Sequence, residues 1–386
     1  MCRMSLLLRT SRPVALIACA LSVFASASRA PSVTSAGPVQ ILHLPAGALQ
    51  PSVAVDQRGV AHAVYFSGSP AHGDVFYTRF DQNGDMSHAV QVNTEAGSAI
   101  ATGNVRGARL AVGRDERVHV VWTGANSRHM WYTHSRAEGG FVPERNVHQL
   151  EGPLDGGSVA ADLRGHVYVI WHGELPGGKG EENRRAWVAR SDDEGQTFDR
   201  EEAASPAAIG ACGCCGTAGA TAPDGTLYLL YRSSREAVHR DTFLLSSRDY
   251  GRNFAARDLH EWNVPACPMS TFSIAAAAGT VVTAWETAGQ IYWTRVKSAG
   301  KEPPVPIAVP GTPGGRKHPA IAQNKRGETL VAWTEGMGWS RGGTVLWQLY
   351  DKGGAPVGEP AAAENIPAWS LIAAYARADG GFTLVF

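Results

Sequence analysis

The chain repeats one pattern of hydrophobic and polar positions seven times. Each copy has a short apolar segment, a polar turn that often contains glycine, and an alternating segment that usually ends in an aromatic residue. Alternation with a period of two is typical of β-strands, so each copy predicts a hairpin. The pairs of segments are 52–56 with 61–66, 109–112 with 118–122, 158–161 with 167–171, 217–221 with 227–231, 272–276 with 281–285, 320–323 with 330–333, and 371–375 with 382–386.

The spacing of the copies is roughly 50 residues, which fits a four-stranded propeller blade. We therefore predict an all-β protein, a β-propeller of four-stranded antiparallel blades, with seven blades favoured and six as the alternative. The last copy supplies only two strands, whereas residues 39–44 precede the first copy. We expect this early segment to pair with the last hairpin and close the ring, because closure leaves no exposed sheet edge.

Two polar turns that follow predicted third strands share one sequence. Residues 191–198 are Ser-Asp-Asp-Glu-Gly-Gln-Thr-Phe, and residues 247–254 are Ser-Arg-Asp-Tyr-Gly-Arg-Asn-Phe. The aspartate can accept backbone hydrogen bonds inside such a turn, and glycine adopts angles that other residues avoid. The pattern resembles the Asp box, or BNR repeat, of sialidase-like β-propellers. The resemblance implies the propeller fold, and the six blades of sialidases supply the alternative count. It implies little about function, since Asp boxes in that family lie away from the ligand face.

The composition fits a large β domain rich in turns. The 386 residues include 44 glycines and 22 prolines, and Lys+Arg and Asp+Glu both number 35. This balance does not predict a nucleic-acid partner. Residues 31–386 are predicted to form a single propeller domain, which we expect to be a monomer. No segment after residue 30 is apolar and long enough to predict a membrane span.

Residues 1–30 are predicted to be a signal peptide and short leader. Arg3, Arg9 and Arg12 form a basic region, residues 14–25 are apolar, and residues 25–27 are a small-residue cleavage site. This arrangement predicts export to the periplasm or beyond.

Acylation of Cys19 as a lipoprotein is less favoured, because apolar sequence continues past this residue. Ordinary cleavage would remove Cys2 and Cys19. The cysteines that remain are Cys212, Cys214, Cys215 and Cys267.

The remaining cysteines precede the inner strands of two consecutive predicted blades. Their side chains should therefore meet near the mouth of the central channel. The segments Cys-x-Cys-Cys at 212–215 and Cys-Pro-Met at 267–269 resemble a subgroup of exported bacterial Asp-box proteins, over roughly residues 209–296. The resemblance implies the fold and assigns no chemistry.

Three interpretations of the cysteines stay open. An even number of cysteines in an oxidising compartment favours disulfides, including one from Cys267 to the 212–215 segment. A soft metal, copper or zinc, is the second interpretation, with Met269 and His318 as further ligands of the cysteine thiolates. A redox pair of Cys212 and Cys215 is the third.

Loops that enter inner strands and loops that leave second strands share one face of a propeller, where polar groups form the default site. Substrate-binding candidates on this face are Arg106, Arg232, Arg235, Arg316, His172, Glu174 and Trp369. The sialidase resemblance implies an arginine triad and catalytic carboxylates. The candidate carboxylates are Glu286, Glu335, Asp155 and Asp241. No catalytic residue carries over, because no segment matches the family's Arg-Ile-Pro strand and no tyrosine matches its nucleophile.

Tryptophans fall into two groups. Four of them end second strands and are predicted to pack between blades; these are Trp122, Trp171, Trp285 and Trp333. Trp339 and Trp369 lie outside that repeat position and are candidates for a ligand surface.

The sequence favours binding of a small ligand or soft metal at a cysteine-rich channel face. The alternative is a divergent exo-sialidase or related glycoside hydrolase that acts on acidic sugars. A third hypothesis is a non-catalytic platform for protein interactions.

Overall fold

The computed structural model describes residues 34–36, 38–103, 105–277, 279–297 and 304–386, so the predicted signal peptide lies outside the described residues. The described residues form seven four-stranded sheets. The prediction of a seven-bladed propeller is confirmed, and the alternative of six blades is wrong. Two short 3-10 helices, Arg114–Glu116 and Glu181–Asn183, interrupt the strands. No helix among these residues is long and apolar enough to cross a membrane.

Two strands precede the first blade, β1 (Thr34–Ala36) and β2 (Val39–Leu42). Blades 1 to 6 then follow the chain from the innermost to the outermost strand, with neighbouring strands antiparallel. Their strands are β3 (Leu49–Val55), β4 (Ala61–Ser69), β5 (His72–Phe80) and β6 (Val90–Gln91) in blade 1; β7 (Arg109–Val112), β8 (Val118–Thr123), β9 (Met130–His134) and β10 (Arg145–Asn146) in blade 2; β11 (Leu154–Ala161), β12 (Val167–Glu174), β13 (Arg184–Ser191) and β14 (Glu202–Ala203) in blade 3; β15 (Ala218–Thr221), β16 (Leu227–Arg232), β17 (Thr242–Ser247) and β18 (Ala255–His260) in blade 4; β19 (Ser273–Ala277), β20 (Thr280–Thr287), β21 (Gln290–Lys297) and β22 (Ile307–Ala308) in blade 5; and β23 (Arg316–Gln323), β24 (Thr329–Glu335), β25 (Gly343–Tyr350) and β26 (Pro356–Ile366) in blade 6.

Blade 7 combines strands from both parts of the chain. Its inner strands are β27 (Ala373–Ala376) and β28 (Phe382–Val385), and its outer strands are β2 and β1. β2 pairs with β28 in parallel, with Val39 opposite Phe382 and Leu42 opposite Val385. The predicted closure of the ring by residues 39–44 is confirmed.

Apolar side chains pack between the faces of adjacent blades. Second strands lie between two neighbouring blades, and every residue of β8 is buried. The four tryptophans of the repeat position are at most 1% exposed. Trp122, for example, packs in one cluster with Val64 and Phe66 of blade 1. The predicted role of these tryptophans in packing between blades is confirmed.

The first Asp box is a closed network of hydrogen bonds. The Ser191 hydroxyl donates to Oδ1 of Asp193 at 2.7 Å and accepts from the backbone N–H of Gly195 at 2.8 Å. Asp193 also accepts from the N–H and the hydroxyl of Thr197 at 2.8 and 2.6 Å. Gly195 has a φ of 78°, and a Cβ there would overlap the Tyr132 hydroxyl. Glycine is therefore required at this position.

The second Asp box has the same network with one substitution. The side-chain amide of Asn253 donates to Oδ2 of Asp249 at 2.7 Å, in place of the threonine hydroxyl. Both boxes connect third to fourth strands. In an up-and-down blade these turns lie on the face opposite to the loops that leave second strands, so the boxes stabilise the fold away from the predicted ligand face.

The seven inner strands surround a central channel of about 470 Å³. Its wall consists mostly of small and β-branched residues, together with Arg109 and His318. Burial lowers the pKa of Arg109 to about 10. Burial, with Lys317 and Arg109 as nearby cations, lowers the pKa of His318 to about 3, so His318 is neutral at pH 7.

Candidate functional site

The cysteine segment 212–215 is held between two consecutive blades by backbone hydrogen bonds. The N–H of Cys212 donates to the carbonyl of Arg232 at 3.0 Å, at the end of the second strand of blade 4. The N–H of Gly216 donates to the carbonyl of Ser270 at 2.9 Å, just before blade 5. These bonds fix the position of the cysteines. They lie on the propeller face that is formed by the loops after the second strands.

The four sulfur atoms form one cluster. Cys214 and Cys267 are joined by a disulfide with their Cα atoms 6.3 Å apart, so the predicted bond from Cys267 to the 212–215 segment is present. Cys212 and Cys215 are free and buried. Sγ of Cys212 lies 3.4 Å from Sγ of Cys215 and 3.4 Å from Sγ of Cys214. The structure therefore has one disulfide and two adjacent thiols instead of two disulfides.

The two thiols differ in acidity. Burial raises the pKa of Cys215, but the hydrogen bond from Cys212, the charge of Arg232 and the N–H of Ser270 outweigh it and lower the pKa to about 7. The hydrogen bond to Cys215 and burial raise the pKa of Cys212 well above its ordinary value. Above about pH 7 the pair therefore shares one proton, with Cys212 as the thiol donor and Cys215 as the acceptor.

Arg232 is the cation beside these sulfurs, and it is only 1% exposed. Its guanidinium lies over the rings of Trp262 and Phe272, 4.9 and 5.4 Å from their centroids. It donates to the carbonyl of Arg240 at 2.6 Å and to that of Glu286. Among the described residues, its Nε has no hydrogen-bond partner. A buried cation with an unused donor stabilises a neighbouring thiolate.

The polar insertion 177–185, several of whose residues are exposed, folds against the cysteine segment. Oε1 of Glu181 accepts from the N–H of Gly213 at 2.6 Å, and Oε2 accepts from Nη1 of Arg240 at 2.6 Å. The N–H of Ala211 donates to the backbone carbonyl of Glu181 at 3.2 Å. These partners are distant from Glu181 in sequence, and together they satisfy its charge.

His172, a predicted substrate-binding residue, lies beneath the cysteine segment and is 2% exposed. Its Nδ1 must accept from Nη2 of Arg184, 2.9 Å away, because arginine has no acceptor. Its Nε2 then donates to the carbonyl of Cys215 at 2.7 Å. Burial and the charge of Arg184 lower the pKa of His172 well below its ordinary value. His172 is thus a neutral hydrogen-bond donor, and its bond positions the backbone of Cys215.

Two of the predicted arginines form ion pairs with predicted carboxylates. Arg106 donates to both oxygens of Asp155, at 2.7 and 2.8 Å. Arg316 donates to Glu335 at 3.1 Å and to the side-chain oxygen of Gln290 at 3.0 Å. In the structure, these arginines and carboxylates therefore bind each other.

The other predicted residues have separate surroundings. Glu286 accepts from the N–H of Gly289 at 2.8 Å through Oε1, and its buried Oε2 has no hydrogen-bond partner in the described chain. Asp241 accepts from the N–H of Trp262 at 2.9 Å. Arg235 is exposed. Glu174 pairs with Arg184 at 3.8 Å. This arrangement does not bring three free arginines together.

Two further metal ligands were predicted: Met269, two residues after Cys267, and His318, in the inner strand of blade 6. Met269 is half-buried with a φ of 47°. His318 is buried, and its Nδ1 lies 3.2 Å from the hydroxyl of Thr271. In the described part of the chain, no histidine shares a compact ligand cluster with Cys212, Cys214 and Cys215. A role for Met269 as a ligand stays a prediction.

Trp339 and Trp369 form an aromatic pair on the ligand face. Their ring centroids are 6.5 Å apart and their planes make an angle of 80°. Trp339 is 53% exposed, whereas Trp369 is half-buried. The carbonyl of Trp369 accepts from the side chain of Gln50 at 2.8 Å, which joins blades 7 and 1. The pair offers an apolar surface beside the channel mouth.

Sequence reasoning missed Glu181, Arg184 and Trp262. Glu181 lies in a 3-10 helix and accepts from Gly213 of the cysteine segment, whereas Arg184 begins β13 and donates to His172 beneath that segment. Trp262 lies in a loop and packs against the guanidinium of Arg232. The density of charge in the insertion was the one available signal, because charged residues that fold onto an apolar core need partners.

No protein-family model matches the chain, and no curated protein sequence matches it. Solved structures do match. An α-L-arabinanase of Penicillium chrysogenum complexed with arabinobiose is 12% identical, with a TM-score of 0.53 over 80% of this chain and 94% of that chain. An ulvan lyase is 10% identical, with a TM-score of 0.52 over 86% and 87% of the two chains.

A Hadza microbial sialidase also matches, with 11% identity and a TM-score of 0.47. The match covers 85% of this chain and 61% of the sialidase. At these identities the likeness shows the fold alone. The chain is therefore similar in fold to arabinanase-type β-propellers.

Proposed function

We propose that the protein binds one soft monovalent metal ion, copper(I), between the sulfurs of Cys212 and Cys215. The observation that carries the proposal is the 3.4 Å approach of two buried, free sulfurs beside the buried cation of Arg232. Thiolates are the ligands that copper(I) prefers in proteins.

The number of available ligands favours copper(I) over zinc. Zinc in proteins takes four ligands in structural sites and at least three in catalytic ones. Cys214 is committed to its disulfide with Cys267, so two of the four sulfurs remain. In the described chain, the ligand clusters around these sulfurs are Cys212 with Cys214 and Cys215, and Glu181 with the disulfide. A pair of thiolates suits copper(I) if the ion is bound by two ligands only.

The charge balance also favours a monovalent ion. Cys212 and Cys215 share one proton above about pH 7, because the pKa of Cys215 is lowered to about 7 and that of Cys212 is raised. A monovalent ion that replaces this proton leaves the buried charge unchanged. A divalent ion would add one positive charge next to Arg232, which burial makes costly.

The chain's own residues would hold the site in place. His172 fixes the backbone of Cys215, and Glu181 fixes that of Gly213. We also propose that the protein is exported. The signal-like residues 1–30 support this, and so does the Cys214–Cys267 disulfide, which persists in oxidising compartments.

The test is a competition titration with a copper(I)-specific chelator under anaerobic conditions. Wild-type protein with the disulfide intact should bind one copper(I) per chain. Cys212→Ser and Cys215→Ser should each lose that ion. The matched control, Cys214→Ser with Cys267→Ser, should keep it, because these residues are not ligands. Equal binding by all variants, or none by the wild type, would overturn the proposal.

Glycan binding is a second candidate, and the exposed Trp339 beside Trp369 is the observation that favours it. Aromatic rings at such a surface can stack on sugar rings. Titration with arabinobiose and with acidic oligosaccharides tests it, with Trp339→Ala as the variant and Trp339→Phe as the control. Turnover of aryl glycosides that Glu286→Gln or Glu335→Gln abolishes would support the glycosidase alternative. Its absence in the wild type would remove that alternative.

A further inference from the structure

We infer that the four cysteines form an internal thiol–disulfide exchange centre, in which the buried pair Cys212 and Cys215 reduces the exposed disulfide Cys214–Cys267. The centre would present reducing thiols at the surface to a disulfide of another molecule. This activity uses the same two thiols as the proposed metal site but needs no metal, so it is tested in metal-free protein.

The sulfurs are already in contact for the first step. Sγ of Cys212 lies 3.4 Å from Sγ of Cys214, one of the two disulfide sulfurs. The second disulfide sulfur belongs to Cys267, which is exposed, whereas Cys214 is half-buried. Exchange requires a thiol sulfur that can reach a disulfide sulfur and a second sulfur that can leave. Cys212 meets the first condition, and the exposed Cys267 meets the second.

The first step forms one bond and breaks one. Cys212 gives its proton to Cys215 and attacks Sγ of Cys214, which forms the mixed disulfide Cys212–Cys214. The Cys214–Cys267 bond breaks, and Cys267 leaves as a thiolate that takes a proton from solvent. No net oxidation occurs, because one disulfide replaces another.

The second step moves the disulfide into the interior. Cys215 loses its proton to solvent and attacks Sγ of Cys212, which lies 3.4 Å away. Cys214 leaves and takes up a proton. The result is a buried Cys212–Cys215 disulfide and two thiols on Cys214 and Cys267. Two electrons have moved from the buried pair to the pair that reaches the surface.

The charges around the cluster favour the disulfide in its outer position at rest. The carboxylate of Glu181 lies within 4.8 Å of both disulfide sulfurs, so it disfavours a thiolate on Cys214 or Cys267. Cys212 and Cys215, by contrast, are buried and free beneath the Cys214–Cys267 disulfide. The inner pair is therefore the reduced one at rest, and the outer pair is reduced transiently.

The substrate class is a disulfide that a partner exposes to solvent. The thiols of Cys214 and Cys267 would reduce it to two thiols and re-form their own disulfide. The protein would then hold two disulfides, and an external dithiol would have to reduce Cys212–Cys215 before another cycle. Each cycle passes two electrons from the external dithiol to the external disulfide.

The experiment traps the transient thiols. Native, metal-free wild-type protein is treated with N-ethylmaleimide, quenched in acid, digested without reduction and mapped by mass spectrometry. We expect alkylated Cys214 and Cys267 together with a Cys212–Cys215 disulfide. Alkylation of Cys212 and Cys215 with an intact Cys214–Cys267 disulfide would overturn the inference, and so would the absence of alkylation.

Two variants separate the steps. Cys215→Ser should stop after the first step, with a Cys212–Cys214 disulfide and alkylated Cys267. Cys212→Ser removes the attacking sulfur, so alkylation of Cys267 should be lost. Equal alkylation of Cys267 in Cys212→Ser and the wild type would contradict the mechanism.

A charge variant tests the resting position of the disulfide. Glu181→Gln should raise the rate of Cys267 alkylation, whereas the exposed neighbour Glu182→Gln should not. Equal rates in both variants would contradict the role of Glu181. The copper titration uses a different readout, so metal binding and exchange can fail independently.

Discussion

His172 donates a hydrogen bond from Nε2 to the backbone carbonyl of Cys215, 2.7 Å away. The other ring nitrogen accepts from Arg184 at 2.9 Å, so both nitrogens are used and the ring is neutral. This histidine joins the second strand of blade 3 to the cysteine segment that precedes blade 4. The position of one sulfur of the site therefore depends on a side chain of the neighbouring blade.

We expect His172→Phe to destabilise the protein, although it keeps an aromatic ring. The carbonyl of Cys215 would lose its donor, at a cost of about 1–3 kcal/mol for a buried group, and Nη2 of Arg184 would keep only its longer bond to the backbone carbonyl of residue 172 at 3.4 Å. Urea denaturation measures the change. The exposed His88 offers the matched control His88→Phe, which should change the free energy of unfolding by less than about 0.5 kcal/mol. Equal stability of the two variants would show that the His172 bonds contribute nothing.

The stability of the protein should fall in mild acid. Burial lowers the pKa of His119 and His318 to about 3, and that of His172 well below its ordinary value. Below about pH 6.5 the unfolded chain binds protons on these residues and the folded chain does not. The stabilising effect of the neutral rings is thus complete above this pH and declines as the pH falls.

Each buried histidine should contribute a slope of about 1.4 kcal/mol per pH unit below pH 6.5. Urea denaturation between about pH 7.5 and 5.5 measures it. His119→Gln should reduce the slope by the contribution of one histidine, about 1.4 kcal/mol per pH unit, whatever the effect of the substitution on stability at neutral pH. A slope that does not change on this substitution would mean that His119 titrates normally in the folded protein.

Copper(I) affinity should depend on pH in two regimes. The raised pKa of Cys212 means that the metal displaces its proton throughout the neutral range, and below about pH 7 it must also displace that of Cys215. The affinity should therefore rise about tenfold per pH unit above pH 7 and up to about a hundredfold per unit below it. Chelator competition at several pH values measures this. An affinity independent of pH would contradict binding by these thiols.

The Asp-box anchor should affect stability without affecting the site. The half-buried ring of Phe198 packs edge-on against Tyr132 at 4.7 Å between centroids, and the Arg145 guanidinium lies 5.3 Å from it. Truncation of a fully buried phenylalanine to alanine costs about 3–5 kcal/mol. Because the ring of Phe198 is only half-buried, Phe198→Ala should lower the free energy of unfolding by less than this. Phe198→Leu, the control, should lose less. Loss of copper binding by Phe198→Ala at unchanged stability would contradict the assignment of faces.

Much of the fold follows from local sequence. Alternating apolar residues predicted the hairpins because side chains of a strand point to opposite faces, and the unpaired segment 39–44 predicted the closure of blade 7. The Asp boxes were predictable because their hydrogen bonds join residues at most four positions apart. Local pattern is sufficient where the stabilising contacts are local.

The candidate site was predictable only in part. Repeat order placed Cys267 next to the 212–215 segment, but it did not decide that Cys214 is its partner, because this depends on backbone direction within one loop. The contact of Glu181 with Gly213 and the enclosure of Arg232 by Trp262 and Phe272 join residues far apart in sequence. Such contacts arise from the packing of three blades, which no local pattern encodes.

X-ray absorption spectroscopy of the copper-loaded, disulfide-intact protein tests the central claim most directly. We predict a copper(I) edge and a first shell of two sulfur atoms, without a nitrogen shell from His172 or His318. The spectrum should be the same in the variant that lacks Cys214 and Cys267. A shell with nitrogen or oxygen ligands, or copper that stays bound in Cys212→Ser, would contradict a site made by Cys212 and Cys215.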